Sequence, residues 1–339
     1  MIARLRTRLP FLRPRPDDAA EVDEVAAVVE RLAVLLSAGV PSATAWRYLS
    51  EAGGSNMLAA AASAAGRGEP IALALDEAIR AQGPSAPSDG REAREARGPA
   101  GRRERAGGWA VLAAAWAVAS ESGAPLTTSL RELGAALRDE AQLRREIRTS
   151  LAGPTASARM VLALPLVALA FGSVLGFDTA TVLLGNPVGL ICLVLGVAFL
   201  VVARRWSRSL AARAAAFDDG AALELELLAI AMAGGASVER ARRCVVDALA
   251  AQRIPVRGEG AVVETVALAE RAGAPLVDLL RAEARRLRRI ARTEAATRGA
   301  ALGVRLMLPL GVCVLPAFVL LGVAPLLISV VTGTLGGAA

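Results

Sequence analysis

Histidine is absent from this chain of 339 residues, and so is lysine: all 39 basic residues are arginine. General acid–base catalysis and most transition-metal sites draw first on histidine. Its absence does not exclude an enzyme, but it removes the commonest parts of an active site. Cysteine is scarce as well. Cys192, Cys244 and Cys313 stand far apart, with neither metal-ligand spacing nor a disulfide framework. They read as small apolar core residues. Aromatic residues are only 3% of the chain, and few stand among the arginines. A nucleic-acid reading of the net charge of +7 therefore lacks its stacking platforms. No phosphate-cradling glycine loop and no nucleophile–base pair is visible. No catalytic, cofactor-binding or metal-ligating set is expected.

What the chain has is aliphatic mass. Hydrophobic residues make up 54%, and with so few aromatics they are chiefly Ala, Leu and Val, a mixture that favours helices. Three runs carry no charge and are long enough to span a bilayer: 160–177, 181–203 and 306–331. The first two are joined by a short turn at 178–180 and read as a transmembrane hairpin. No arginine lies between 160 and 203, and none follows Arg305. The positive-inside rule then places 22–159 and 204–305 in the cytoplasm, with the 178–180 turn and the tail 332–339 outside. Residues 1–21 read as a basic arm near anionic lipid headgroups. The runs hold no Asp, Glu, Arg or His, which weighs against an ion-coupled transporter.

The cytoplasmic segments share one turn grammar. Gly39-Val40-Pro41-Ser42, Gly68-Glu69-Pro70, Gly123-Ala124-Pro125 and Gly273-Ala274-Pro275 each set a helix-ending glycine before a helix-starting Pro or Ser. Gly234-Gly235-Ala236-Ser237 plays the same part. These turns belong to an internal repeat. Ser122-Gly123-Ala124-Pro125-Leu126 recurs 150 positions later as Ala272-Gly273-Ala274-Pro275-Leu276, and Leu130, Arg131, Leu137, Arg138 and Arg148 keep that spacing. Ala38-Gly39, Ser42 and Arg47 match Ala233-Gly234, Ser237 and Arg242 at a spacing of 195. Gly39, Gly123, Gly234 and Gly273 are thus the expected repeat turn residues. The two spacings differ because the first unit carries extra chain, part of it at 81–108, whose Gln, Gly, Pro, Ser, Arg and Glu read as a disordered insertion. The expected fold is an all-α membrane protein: two repeated cytoplasmic helical bundles with three transmembrane helices.

This order of turn, turn, charged helix and span resembles the type II secretion F-domain family, the inner-membrane platform proteins of type II secretion, type IV pili and Tad-type (tight adherence) pili. The residues that carry the likeness are the turn at Leu35–Arg47 and the Ser-Gly-Ala-Pro-Leu block with Leu130. Their second copies at 230–242 and 272–280 carry it too, as does Leu-Pro-Leu at 164–166 and 308–310. The high Ala and Arg content is most like Tad-type members of actinobacteria. The insertion at 81–108 departs from the family pattern. The resemblance implies a non-catalytic protein of the inner (plasma) membrane, multi-pass, with its bulk in the cytoplasm. It implies partners: a secretion or pilus ATPase, a pilin or pseudopilin, membrane lipids, and a second F-family protein or further copies of this chain, but no nucleic acid. The ATPase-facing surface is expected on Arg138, Arg144, Arg145, Arg285, Arg288 and Arg289. The competing reading is a transporter or channel subunit. Pilus and secretion machine remain open alternatives.

Overall fold

The computed structural model describes residues 18–82, 107–174, 187–215, 220–325 and 327, and every regular element among them is helical. In chain order they are α1 (Asp18–Ser37), α2 (Ser42–Ala52), α3 (Asn56–Arg67), α4 (Ile71–Gln82), α5 (Gly108–Ser122) and α6 (Leu126–Val174). Then come α7 (Pro187–Ala215), α8 (Gly220–Ala233), α9 (Val238–Ala251), α10 (Glu259–Ala272) and α11 (Leu276–Pro309). The last stretch is π-helical at Leu310–Val314 and Val319–Val323, either side of the short α12 (Leu315–Phe318). Pro316 lies between the two widened turns, where its missing N–H breaks the regular ladder.

The helices stop for local reasons. α3, α5 and α10 each end on a left-handed glycine, Gly68, Gly123 and Gly273. The next residue then reaches back to the last turn: Glu69 N–H to Ala64 O, Ala124 N–H to Ala119 O and Ala274 N–H to Ala269 O, at 2.9, 3.0 and 3.2 Å. This double closure satisfies carbonyls that the helix end leaves free. α9 closes the same way without glycine: Ile254 N–H meets Leu249 O at 2.9 Å while Arg253 sits at φ 56°. Replacing Gly123 or Gly273 with valine is expected to cost about 1–2 kcal/mol, since a branched side chain resists that backbone region. Thermal melts of the two variants check it; stability equal to wild type would contradict the role.

The chain divides into two compact units. The first contains α1–α5, α8–α10, the part of α6 up to Arg145 and the part of α11 up to Ala291. Its core draws on both halves of the sequence: Val29, Leu32, Trp46, Leu75, Leu112 and Leu130 pack in one cluster with Leu225, Leu228, Leu249 and Leu280. Trp46 and Trp116 meet edge to face with ring centres 5.3 Å apart, the geometry aromatic quadrupoles prefer. α5 packs on α1 and α4 on one side and on α8 and α9 on the other. That is why Trp109–Trp116 is buried without interruption, and why the usual one-faced pattern is missing there.

The second unit contains the rest of α6, all of α7, the rest of α11 and the turns that follow. α7 packs on α12 and on both π-helical turns. Gly196 and Ala203 keep that contact close; a side chain at Gly196 would strike Leu321. Outward on these helices lie large apolar residues, among them Met160, Val167, Phe171, Ile191, Val194, Met307 and Val312. Two helical stretches among the described residues are long and apolar enough to cross a membrane, one beginning at Pro187 and one ending at Val323.

Several expected boundaries move. α1 starts at Asp18 rather than 22, because Ala19 and Val22 are already buried. α6 runs unbroken through 160, with Pro154 and Pro165 inside it. The hairpin turn at 178–180 and the tail 332–339 lie outside the described residues, as does 83–106 of the expected insertion. The edges of that insertion are helical, 81–82 closing α4 and Gly108 opening α5. The extra chain also includes α3 and α4, which have no counterpart between α9 and α10. The spacing of 195 needs correction too. Left-handed Gly39 corresponds to Gly235, and the first helical residue Ser42 to Val238, both at 196. At that spacing Ala45 and Ala241 are both fully buried. The 195 match aligned similar letters; burial and backbone align one residue further on.

Candidate functional site

Two arginine–glutamate pairs of the first unit stand at positions related by the sequence spacings. Arg138 of α6 pairs with Glu30 of α1, and Arg288 of α11 pairs with Glu226 of α8. The arginines are 150 positions apart and the glutamates 196. The pairs differ in burial. The Arg138 and Glu30 side chains are 59% and 27% exposed, those of Arg288 and Glu226 only 19% and 8%. A third pair joins α11 to α6, Arg281 Nη2 lying 2.6 Å from Glu132 Oε2. Burial pushes the Glu132 carboxyl above its ordinary range and Glu226 adds to that, against the pull of Arg281 and Arg285. Glu224, buried on α8, accepts the backbone N–H of Gly258 at 2.6 Å and of Arg257 at 3.1 Å. It thereby satisfies the start of α10, where no side-chain cap is present.

Of the six arginines expected on a docking surface, the structure keeps some on the outside and withdraws others. Arg285 and Arg289 are exposed. Arg138 is largely exposed while holding Glu30, and Arg145 is half-exposed 3.1 Å from Asp23. Arg144 is not on a rim: 8% of its side chain is accessible, and Glu140 one turn away holds it. Arg288 is likewise committed to Glu226. The charged look of the two helices hid this, because the neutralising glutamate lies either one turn back or on another helix.

The turn residues divide by a similar distinction. Gly39, Gly123 and Gly273 have φ of 82°, 70° and 62°. At the fourth turn the left-handed residue is Gly235, at 82°, not Gly234. Gly234 is needed for space: a Cβ there would lie 2.2 Å from the carbonyl oxygen of Ser122 and 2.9 Å from the N of Ala124. The α8–α9 turn thus rests backbone to backbone on the α5–α6 turn. Glu30, Glu224 and Glu226 were missed in the sequence. The signal for the last two was present, since two carboxylates inside the otherwise apolar run of α8 require partners once buried.

No group of three or more Cys, Asp or Glu among the described residues is placed to hold a metal. Cys244 is buried. Burial first, then the Glu121 and Asp247 carboxylates, pushes its thiol up to about 12. At pH 8 about one molecule in ten thousand would carry the thiolate. Cys244 is therefore expected to resist alkylation in the folded chain and to react once it is denatured. Mass spectrometry of peptides after a short iodoacetamide pulse reads this out; rapid labelling of the native protein would contradict it.

Helices, several of them ended by left-handed glycines, with arginine–carboxylate pairs tying α6 to α1, fill the region from α1 to α6. That region, residues 28–174, matches the family model described as Type II secretion system (T2SS), protein F. Residues 28–174 are a T2SS protein F domain. No curated protein and no solved structure matches the chain. The F domain takes in the second half of α1, all of α2–α5 and all of α6, so Trp46, Trp116, Glu30 and Arg138 all lie within it. Gly39, Gly68 and Gly123 are left-handed turn residues within it, and its last fifteen residues are charge-free.

Proposed function

We propose that this chain is a non-catalytic inner-membrane platform protein of a type IV-like (Tad/Flp) pilus or type II secretion machine, coupling a cytoplasmic ATPase to pilin assembly. The F domain at 28–174, in a chain with long apolar helices, carries the proposal. Members of this family are associated with the inner membrane and typically work with secretion ATPases and pilins. The proposed topology has three spans, at 160–177, 181–203 and 306–331, with both Arg-rich segments in the cytoplasm. The outward apolar residues of α6, among them Met160, Val167 and Phe171, support a span there. The ATPase would meet the exposed arginines, Arg138, Arg145, Arg285 and Arg289. Such charges act mainly on association rate and salt sensitivity.

The test pairs capture with genetics. The full-length protein is expected to retain a co-encoded secretion ATPase, less so as salt rises, and its deletion to abolish surface fibres or secreted product. ATP hydrolysis by the purified protein alone, or a deletion strain with intact fibres and secretion, would overturn the proposal. Cysteines at Ser63 and Ala261 should be shielded from an impermeant thiol reagent in whole cells, while one at Thr179 should react.

A further inference from the structure

The two spacings pair helices of the second half with helices of the first. α8 and α9 answer to α1 and α2 at 196, and α10 and α11 to α5 and α6 at 150. Some paired positions are buried alike, such as Val29 with Leu225, Leu32 with Leu228, Ala45 with Ala241 and Leu112 with Val262. They form the interior of each half. Where paired positions differ in burial, one half covers a surface that the other leaves open.

Two open surfaces emerge from that comparison. On α8, Leu227, Ile230 and Ala231 are buried, and they continue into Gly234, which rests on the Ser122 turn at the end of α5. Their counterparts Arg31, Val34 and Ala38 are exposed and Leu35 is half-buried. Arg31, Val34 and Leu35, with Glu30 and Leu49, line an open, mainly apolar groove of about 410 Å³ between α1 and α2. On α5, the stripe Ala110, Ala114, Ala117 and Glu121 faces α9, since the Cys244 thiol bonds to Glu121 and the others precede it at helical spacing. Its counterparts on α10 are Gly260, Glu264, Ala267 and Arg271: Gly260 and Glu264 are exposed where Ala110 and Ala114 are buried, Leu268 beside them is exposed where Val118 is buried, and Ala267 and Arg271 are as accessible as Ala117 and Glu121.

The open groove and the open helix are thus the two sides of a contact that the molecule already makes once within itself. We infer that a second copy of this chain completes it: α10 of one copy lies in the α1–α2 groove of the next, as α5 lies on α8 and α9. Charge at the paired positions fits that occupant. Inside the molecule, Glu121 stands by the Cys244 thiol, and Asp247 follows Cys244 one turn later on α9. The counterpart contact sets Arg271 by Tyr48 and Glu51, a cation beside a ring and a carboxylate. Glu264 brings a charge opposite to that of Arg31 in the groove, and Leu268 brings the apolar residue to meet Val34 and Leu35. The two surfaces differ and each copy keeps one of each, so the contact runs head to tail and extends into a ring or a row. The inference stands on the repeat and its burial, independently of the ATPase and the pilin.

Cross-linking of the full-length protein in membranes tests it, with Cys192, Cys244 and Cys313 replaced by alanine. Two differently tagged copies are co-expressed, one carrying Tyr48→Cys and the other Arg271→Cys. A disulfide between the two tags is expected on mild oxidation, and none from either variant paired with itself. Bonding within like pairs would show a two-fold contact, and no bonding in the mixed pair would show no contact at this site; either overturns the inference. Charge exchange gives a second readout on the otherwise native chain. Arg271→Glu and Glu51→Arg are each expected to weaken self-association about tenfold, and the double variant to restore it. Without restoration the inference fails, whatever a deletion strain shows about fibres.

Discussion

Arg288→Met is expected to destabilise the protein by about 3–5 kcal/mol, while Arg138→Met, at the paired position, is expected to cost about 0–1 kcal/mol. The chemistry of the two pairs is the same, an arginine of a long helix against a glutamate of the helix beside it. The surroundings differ. Glu226 sits on a helix covered on nearly every side, so removing Arg288 strands a carboxylate out of reach of water. Glu30 lies at the edge of an open groove, where solvent screens it and can replace its partner. Adding Glu226→Leu to Arg288→Met should recover most of the loss, because the stranded charge is then gone. Chemical unfolding of the purified protein in detergent, followed by circular dichroism, measures all of these. Equal effects at positions 288 and 138 would show that burial does not separate the two pairs.

Gly234→Ala carries the second large effect, about 3 kcal/mol or more, although alanine is a better helix former and brings only one methyl group. The added Cβ would fall 2.2 Å from a carbonyl oxygen, and the neighbours in its way are backbone atoms of Ser122 and Ala124. A backbone held by helices on both sides cannot step aside as a flexible side chain would. The neighbouring Gly235→Ala is expected to cost only about 1 kcal/mol: its φ is 82°, but nothing lies within 4 Å of the new Cβ. Melting temperatures of the two variants, compared side by side, decide the matter. A larger loss at Gly235 than at Gly234 would mean that strain, not the approach of the two turns, dominates there.

Much of this protein was legible because its signals are local. Left-handed glycine followed by Pro marks the ends of α3, α5 and α10 within a few residues of sequence, since the closing hydrogen bonds span only five positions. The charge-free runs announce apolar helices by composition alone. The 150 spacing was equally plain, because the paired letters lie in one unbroken block.

What the letters did not decide depends on distant neighbours. The shift from 195 to 196 follows from which alanine faces the core, and Ala45 and Ala241 look like any other alanine until the helices are packed. The expected docking arginines divided only when Arg288 found Glu226, sixty-two residues away, and Arg144 turned inward to Glu140. Sequence by itself determined where the helices stop, which stretches are apolar and that the halves share a pattern, because backbone closure and side-chain chemistry act over a turn or two. Tertiary structure decided which face of each helix is covered. Burial is set by what packs against a residue, and positions with matching sequence spacing meet different neighbours, so Ile230 is enclosed while Val34 is left open.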